Sequence, residues 1–159
     1  MPAIIKALVV GKEVFDVIER VPLIRSPDVP SESSNKICID EGIIFENVSF
    51  RYPTAPVNSR DVFSKVSFTI RPYTSTAIVG PSGSGKSTIV QLLNRFYDPS
   101  EVSNAQGTIY QGKDDIKSKD LTALRGMIGY VSQEPVLILG TIRDNLLFCN
   151  KDATEEDME

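Results

Sequence analysis

The chain has 159 residues, of which 41% are hydrophobic and 24% charged, and these values are typical of one ordinary globular domain. Lysine and arginine number 17 against 21 acidic residues, so the net charge of −4 excludes a broad electrostatic attraction to nucleic acid or anionic lipid. Histidine is absent and the two cysteines lie far apart, which leaves a zinc site unsupported. No apolar run approaches the roughly 20 residues of a transmembrane helix, so the sequence predicts no membrane-spanning segment in this chain.

The opening segment spaces its apolar residues at helical intervals over about residues 3–20, and Pro22 stops the pattern. It predicts one amphipathic helix. Residues 25–35 are rich in proline, serine and charge, which is typical of a linker. We therefore predict a boundary near residue 35, with residues 1–35 as a helix and polar linker and residues 36–159 as the second part.

Short β-rich runs follow the linker. Residues 43–45, 48–50 and 66–70 predict strands of an antiparallel layer. Residues 76–79 form an apolar run that predicts another short strand, and residues 87–96 have a helical pattern. A strand, a glycine-rich turn and a helix are thus expected in succession.

The last third of the chain predicts alternating strands and short helices. Residues 107–110 and 127–131 are expected to form strands. Ser118 is expected to cap a short helix that runs to about Leu124, and Thr141 is expected to cap a last helix.

One motif predicts a chemical function. The glycine-rich turn matches the pattern G-x-x-x-x-G-K-[ST] and lies between a predicted strand and a predicted helix. Its residues are Gly80, Pro81, Ser82, Gly83, Ser84, Gly85, Lys86 and Ser87. Glycines let backbone N–H groups turn inward, and the helix start adds its positive end. Lys86 is expected to reach the β- and γ-phosphates, Ser87 to ligate magnesium, and Thr88 to donate to the α-phosphate. The motif predicts binding of a Mg-nucleotide, ATP; the alternative is a plain Gly-Ser surface turn.

The neighbours of this loop resemble the nucleotide-binding domain of an ATP-binding-cassette transporter of the multidrug-exporter, P-glycoprotein-like type. Residues 43–53 are similar to the family's first strands and its adenine-stacking aromatic, which is Tyr52 here. Residues 128–137 are similar to the family's glutamine loop, which implies that Gln133 contacts magnesium and the attacking water. Residues 140–146 are similar to the segment that faces the transmembrane helices. Without the resemblance, Tyr52 would be a half-buried strand residue and Gln133 a polar strand end.

The resemblance implies an α/β fold, with an incomplete P-loop NTPase core and an N-terminal antiparallel β layer preceded by a linker helix. It implies Mg²⁺ and ATP as ligands, and the transmembrane domain of a parent transporter and a second nucleotide-binding domain as partners. It also implies a place at the cytoplasmic face of a membrane. Two departures are a longer turn, which leaves Arg60 and Val62 unassigned as nucleoside contacts, and residues 137–139 in place of an aromatic.

Other catalytic parts of the family are missing from this sequence. No apolar strand ending in Asp-Glu follows Ser87, the Leu-Ser-Gly-Gly-Gln signature is absent, and there is no histidine for the switch position. Residues 37–41 mimic the Asp-Glu strand but precede the loop. We therefore expect the chain to bind ATP without hydrolysing it, with activity belonging to the longer parent.

Two alternatives stay open at this point. A stand-alone, naturally truncated module could bind nucleotide and dock on another protein without catalysis. A small P-loop kinase or GTPase would share the cradle, but it would lack the surroundings of Tyr52 and Gln133. The run Asn150-Lys151-Asp152 also fails the spacing of a guanine-binding Asn-Lys-x-Asp motif.

Overall fold

The computed structural model describes residues 2–27, 39–56, 59–99, 101–102, 105–148, 150 and 153–158, in two units, Met1–Ile128 and Gly129–Glu159. The α-helices of these residues are α1 (Pro2–Ile18), α2 (Lys86–Leu93), α3 (Leu121–Gly126), α4 (Ile142–Leu147) and α5 (Glu155–Met158). The strands are β1 (Ile43–Phe50), β2 (Phe63–Ile70), β3 (Glu101–Val102), β4 (Ala105–Gln106), β5 (Thr108–Gln111) and β6 (Asp114–Asp115).

The main sheet of the first unit has four antiparallel strands in the order β2-β1-β5-β6. Phe45 of β1 lies opposite Phe68 of β2 on one side and Ile109 of β5 on the other. The predicted antiparallel layer is therefore confirmed. Its first two predicted segments form one continuous strand, and β2 begins at Phe63, three residues before the predicted start.

Strand β1 carries irregularities in its pairing with β2 between Phe45 and Val48 and between Val48 and Phe50. Side chains alternate between the faces of a regular strand, so residues three apart would face opposite sides. A bulge adds an unpaired residue and resets this alternation. Asn47 lies there with φ 49°, in the left-handed region that asparagine tolerates better than most residues. As a result, Phe45, Val48 and Phe50 are all buried.

The core of the first unit joins this sheet to the helix that follows the glycine-rich loop. Its buried apolar residues are Phe45, Val48, Phe50, Phe63, Ile89, Leu92, Ile109, Ile116 and Leu124. The rings of Phe45 and Phe68 stack with centroids 4.3 Å apart. Helix α2 contributes Ile89 and Leu92, which are three residues apart and so share one face of the helix. The start of α2 is thus fixed by packing as well as by its own hydrogen bonds.

Helix α1 confirms the predicted opening helix, which ends at Ile18. In the part of the chain that the structure describes, we find no helix with the length and apolar character to cross a membrane. Residues 28–35 of the predicted linker lie outside the described residues, so the boundary near residue 35 stays a prediction. Residues 37 and 38 of the Asp-Glu mimic lie outside them too, and its remainder is a 3-10 turn, Ile39–Glu41, whose Asp40 and Glu41 are exposed.

Two predicted strands are wrong. Residues 76–79 and 127–131 have no strand structure, and neither pairs with a strand of the described residues. Val79 is 88% exposed and Val131 is 89% exposed. An apolar run becomes a strand only when neighbouring strands satisfy its N–H and C=O groups. The apolar character of these two segments led to the prediction of strands, but strand structure also requires neighbouring strands to pair with.

The predicted cap at Ser118 is also wrong, because helix α3 begins at Leu121 and its N-cap is Asp120. The Ala123 N–H donates to Asp120 Oδ1 over 2.9 Å, which is the ordinary N-cap bond. Ser26 Oγ donates to Asp120 Oδ2 and accepts from the Leu121 N–H. These bonds, that from Ala123 above all, lower the pKa of Asp120. Ser118 ends a 3-10 turn instead, where its hydroxyl donates to a backbone carbonyl.

Helix α2 ends at Leu93, earlier than the predicted residue 96. Arg95 has φ 52°, and a left-handed residue after the C-cap is a common helix stop. The side chain of Arg125 donates to the carbonyls of Asn94 and Arg95 at 3.0 and 2.9 Å, which satisfies groups that the helix end leaves without partners.

The predicted cap at Thr141 is confirmed in the second unit. Thr141 Oγ1 accepts from the Asp144 N–H, and Asp144 Oδ2 accepts from the Thr141 N–H and hydroxyl, forming a reciprocal capping box at the start of α4. Asn145 ties the preceding turn to the helix, because its side chain accepts from the Ile138 N–H and donates to the Ile138 carbonyl. Hydrogen bonds from Thr141 hold the pKa of Asp144 below its ordinary value.

We predict that Thr141→Ala raises the pKa of Asp144 towards its ordinary value, because the hydroxyl donor is lost while the backbone donor remains. A carboxyl whose folded-state pKa is lowered stabilises the folded state above its unfolded pKa, and this contribution disappears as pH falls through the folded pKa. Thr141→Ala should therefore reduce the loss of α4 stability that occurs as the pH falls. A ¹³C NMR titration of the Asp144 carboxyl measures the change.

The matched control is Thr154→Ala, since Thr154 makes the same bonds to Asp157 at the start of α5 and lowers its pKa. It should move the titration of Asp157 and leave that of Asp144 in place. An Asp144 titration unaffected by Thr141→Ala would contradict the capping-box explanation.

Candidate phosphate-binding site

The loop from Gly80 to Gly85 has the backbone conformations that its glycines allow. Gly83 and Gly85 have φ values of 78° and 89°, in the left-handed region where a side chain is strained. The Ser84 N–H donates to the Pro81 carbonyl over 3.3 Å, which closes a tight turn. Residues 80–84 are exposed. The loop is therefore an open turn that precedes the first residue of α2.

Lys86 closes the loop from its far end. Its ammonium donates to the Gly80 carbonyl over 2.9 Å and to the Pro81 carbonyl over 2.7 Å. The long side chain of the first α2 residue thus returns to the first two residues of the loop. A positive charge is held beside the backbone turn, in a chain whose net charge is negative.

The start of α2 offers N–H groups with no helical acceptor. The N-cap is Gly85, so no side chain caps the helix start. The first helical hydrogen bond runs from the Ile89 N–H to the Gly85 carbonyl. The N–H groups of Lys86, Ser87 and Thr88 precede that bond and so have no intrahelical partner. Such a helix start attracts anions. Together with the ammonium and the exposed Ser87, this donor set fits a polyphosphate with its magnesium ion.

The last glycine of the loop packs directly on the sheet. A Cβ at Gly85 would lie 2.7 Å from Val62 Cγ1 and 2.7 Å from Phe63 Cε1. These contacts are closer than carbon atoms tolerate, so only glycine fits at this point. Val62 is itself fixed by its N–H, which donates to the Phe50 carbonyl over 2.8 Å. The sequence left Val62 and Arg60 unassigned as nucleoside contacts. The structure places Val62 against Gly85 of the loop, whereas Arg60 is exposed.

Tyr52 lies beside the same helix turn. Its hydroxyl is 2.8 Å from Thr88 Oγ1 and donates to Gln91 Oε1 over 2.7 Å. Its ring meets those of Phe50 and Tyr97 edge to face, with centroids 4.9 and 5.2 Å away. Tyr52 is half-buried, but it follows β1 and does not lie in a strand, and it borders helix α2. Its role as a base platform stays a prediction.

Thr88 is only 4% exposed. The one hydroxyl hydrogen of Tyr52 is given to Gln91, so the bond between the two hydroxyls must use the hydrogen of Thr88. The Thr88 side chain therefore donates to Tyr52, and its backbone N–H is the group left for a phosphate. The predicted α-phosphate contact of Thr88 stays a prediction with that N–H as the donor.

Gln133 belongs to the second unit, where it is exposed and lies in a bend. Its neighbour Ser132 donates to the Glu134 carbonyl over 2.7 Å. The role of Gln133 towards magnesium and water stays a prediction. Sequence reasoning missed Gln91, although its position three residues after Thr88 on a predicted helix places both on one face.

Comparisons with known proteins agree with this geometry. The family model described as ABC transporter matches residues 63–159, more than half of the chain. This chain belongs to the ABC transporter family. The assignment removes the small kinase or GTPase alternative.

Individual members of the ABC transporter family indicate which type of transporter this chain resembles. The mitochondrial ATP-dependent permease MDL1 of Saccharomyces cerevisiae is 44% identical over 137 residues, covering 86% of this chain and 18% of its own length. The ABC multidrug transporter mdr2 of Aspergillus fumigatus is 42% identical over 135 residues, covering 84% of this chain and 16% of its own. A solved bacterial Atm1-family ABC exporter with ATP bound aligns with TM-score 0.75 and 34% identity, over 95% of this chain and 24% of its own.

These relatives confirm the resemblance to the nucleotide-binding domain of a multidrug-type exporter, and with it the α/β P-loop NTPase fold class. The chain spans less than a quarter of the length of each of them.

We predict that Gly85→Ala lowers the free energy of unfolding by about 2–4 kcal/mol, because it combines a strained backbone with overpacking against Val62 and Phe63. Gly83→Ala is the matched control, since its φ is also positive but a Cβ there meets nothing within 4 Å. It should cost only about 1–2 kcal/mol. Urea denaturation of both variants measures the difference, and equal losses would show that the contact with the sheet is unimportant.

Proposed function

We propose that this chain binds Mg-ATP at residues 80–88 and is part of the ATPase engine of an exporter that drives a substrate across a membrane. The observation that supports this most directly is the ammonium of Lys86, held by the Gly80 and Pro81 carbonyls beside an uncapped helix start. Membership of the ABC transporter family supports the same ligand, and the solved exporter that the chain resembles has ATP bound.

The residues at the start of α2 would contribute different interactions. The backbone N–H groups of Lys86, Ser87 and Thr88, which have no intrahelical partner, would donate to phosphate oxygens. Lys86 would exchange its carbonyl acceptors for the β- and γ-phosphates, since charge-assisted bonds to phosphate are stronger than bonds to neutral carbonyls. The Ser87 hydroxyl would ligate magnesium, whose ligands are oxygens. Tyr52 would present its ring to the adenine.

Hydrolysis would need parts beyond this cradle. Gln133 would contact magnesium and the attacking water, and a carboxylate base and a signature segment would have to be supplied as well. The sequence has no Asp-Glu strand after the loop and no histidine. We therefore propose that this chain alone binds ATP without turning it over, and that turnover belongs to the parent transporter.

The expected partners are the transmembrane domain of the parent and a second nucleotide-binding domain, at the cytoplasmic face of a membrane. Support comes from the second unit, in which several large apolar side chains around α4 are exposed. They are Val136, Leu137, Leu139, Ile142 and Phe148. Exposed apolar groups of this kind are typical of a surface that another protein covers.

We predict that Lys86→Ala weakens Mg-ATP binding by about 10- to 100-fold, the size of lost charge-assisted hydrogen bonds. Isothermal titration calorimetry of the 159-residue chain measures the dissociation constant. Lys113→Ala is the matched control, because it removes the same charge from a side chain that is 90% exposed and away from the loop. Equal affinities for wild type and Lys86→Ala would contradict the proposal.

We also predict that the wild-type chain releases phosphate from Mg-ATP at less than about 0.1 s⁻¹, at least a hundredfold below the median enzyme, because its sequence has no Asp-Glu strand after the loop to supply a general base. A phosphate-release assay at saturating ATP checks this. A faster, magnesium-dependent rate that Lys86→Ala abolishes would show that the chain is catalytically complete. Binding without turnover would be the expected result.

A further inference from the structure

Three side chains connect the segment that follows β1 to the helix that follows the glycine-rich loop. Thr88 donates to the Tyr52 hydroxyl over 2.8 Å, and that hydroxyl donates to Gln91 over 2.7 Å. Thr88 and Gln91 lie three residues apart on α2, one turn from the loop. The tyrosine is thus held by two points on one helix face.

The aromatic ring of Tyr52 is also held from its sides. Phe50 and Tyr97 meet it at interplanar angles of 79° and 90°. Edge-to-face contacts restrict the tilt of a ring, and the hydroxyl bonds restrict its position along the helix. Two independent sets of contacts therefore define one orientation.

From this geometry we propose that Thr88 and Gln91 are positioning residues that fix the Tyr52 ring relative to the phosphate loop, so that base and triphosphate are recognised by one rigid unit. The inference rests on the proposed function. It adds a specificity role for Gln91, which does not lie in the phosphate loop. The ligand class is a nucleoside triphosphate, whose base must reach the Tyr52 ring while its phosphates reach the glycine-rich loop.

Preorganisation explains why the connection matters. A free aromatic side chain loses rotamer freedom when it stacks on a ligand, and this loss reduces affinity. Tyr52 has already lost that freedom in forming its bonds to Thr88 and Gln91. The benefit should appear only for ligands with a base, because tripolyphosphate needs the loop and not the ring.

The test measures calorimetric dissociation constants of the 159-residue chain for Mg-ATP and for magnesium tripolyphosphate. Tyr52→Phe keeps the ring and removes its hydroxyl, and Gln91→Leu removes the acceptor at similar size. Each should weaken ATP binding by about three- to tenfold, the cost of ordering one side chain on binding, and change tripolyphosphate binding by less than about twofold. The double variant should bind ATP no more weakly than the weaker single variant, since both substitutions release the same ring.

Tyr97→Phe is the matched control. It removes a hydroxyl from a ring in the same aromatic cluster, and no hydrogen bond of that hydroxyl is found among the described residues. It should leave both dissociation constants unchanged. Thermal melts of all variants accompany the titrations, and if Tyr52→Phe fails to fold, Gln91→Leu decides the question alone.

The possible results separate this inference from the proposed function. Equal losses for ATP and tripolyphosphate in Tyr52→Phe and Gln91→Leu would overturn the positioning role, because the bonds would then only support the helix. Unchanged affinity for ATP in both variants would overturn it as well. If wild type binds neither ligand, the proposed function falls and the inference falls with it.

Discussion

The candidate site depends on the contact between Gly85 and two side chains, those of Val62, which directly precedes β2, and of Phe63, its first residue. Val62 and Phe63 lie so close that no side chain fits at Gly85, and this fixes where α2 begins. Because α2 begins there, its uncapped N–H groups and the Lys86 ammonium converge on the same turn. The antiparallel layer therefore supports the candidate phosphate site, although it contributes no group to the loop itself.

The sheet can support the loop because the bulge in β1 and the hydrophobic core fix the geometry of the sheet. The bulge at Asn47 turns Phe45, Val48 and Phe50 into one core, which also receives Ile89 and Leu92 of α2. Burial of a large apolar side chain is worth about 1.5–3 kcal/mol, so these residues stabilise the first unit far more than any surface ion pair could. Rigid support of this kind fixes the position of a short exposed loop, whose glycines adopt left-handed conformations without strain.

The parts predicted well from the sequence are those with local causes. The glycine-rich turn before α2, the helix cap at Thr141 and the β-rich segments that form β1 and β2 each follow from residue types at short spacings. The strands at residues 76–79 and 127–131 were wrong, because pairing depends on partners that a hydrophobic run does not specify. The cap at Asp120 was missed because Ser118 and Asp120 are both residue types that cap helices, so the pattern alone does not choose between them. The role of Val62 depends on its packing against Gly85, and that of Gln91 on a bond to Tyr52, so both are long-range effects.

In a chain with net charge −4, the proposed binding of a polyphosphate has to rest on local geometry, because long-range attraction would act against it. Dipoles of backbone N–H groups and one ammonium achieve this without adding charge to the surface. The ammonium donates to two carbonyls, so these already replace part of its hydration. On the proposed binding of a polyphosphate, the ammonium would exchange these neutral acceptors for charged oxygens, and the loop would already have been ordered by folding.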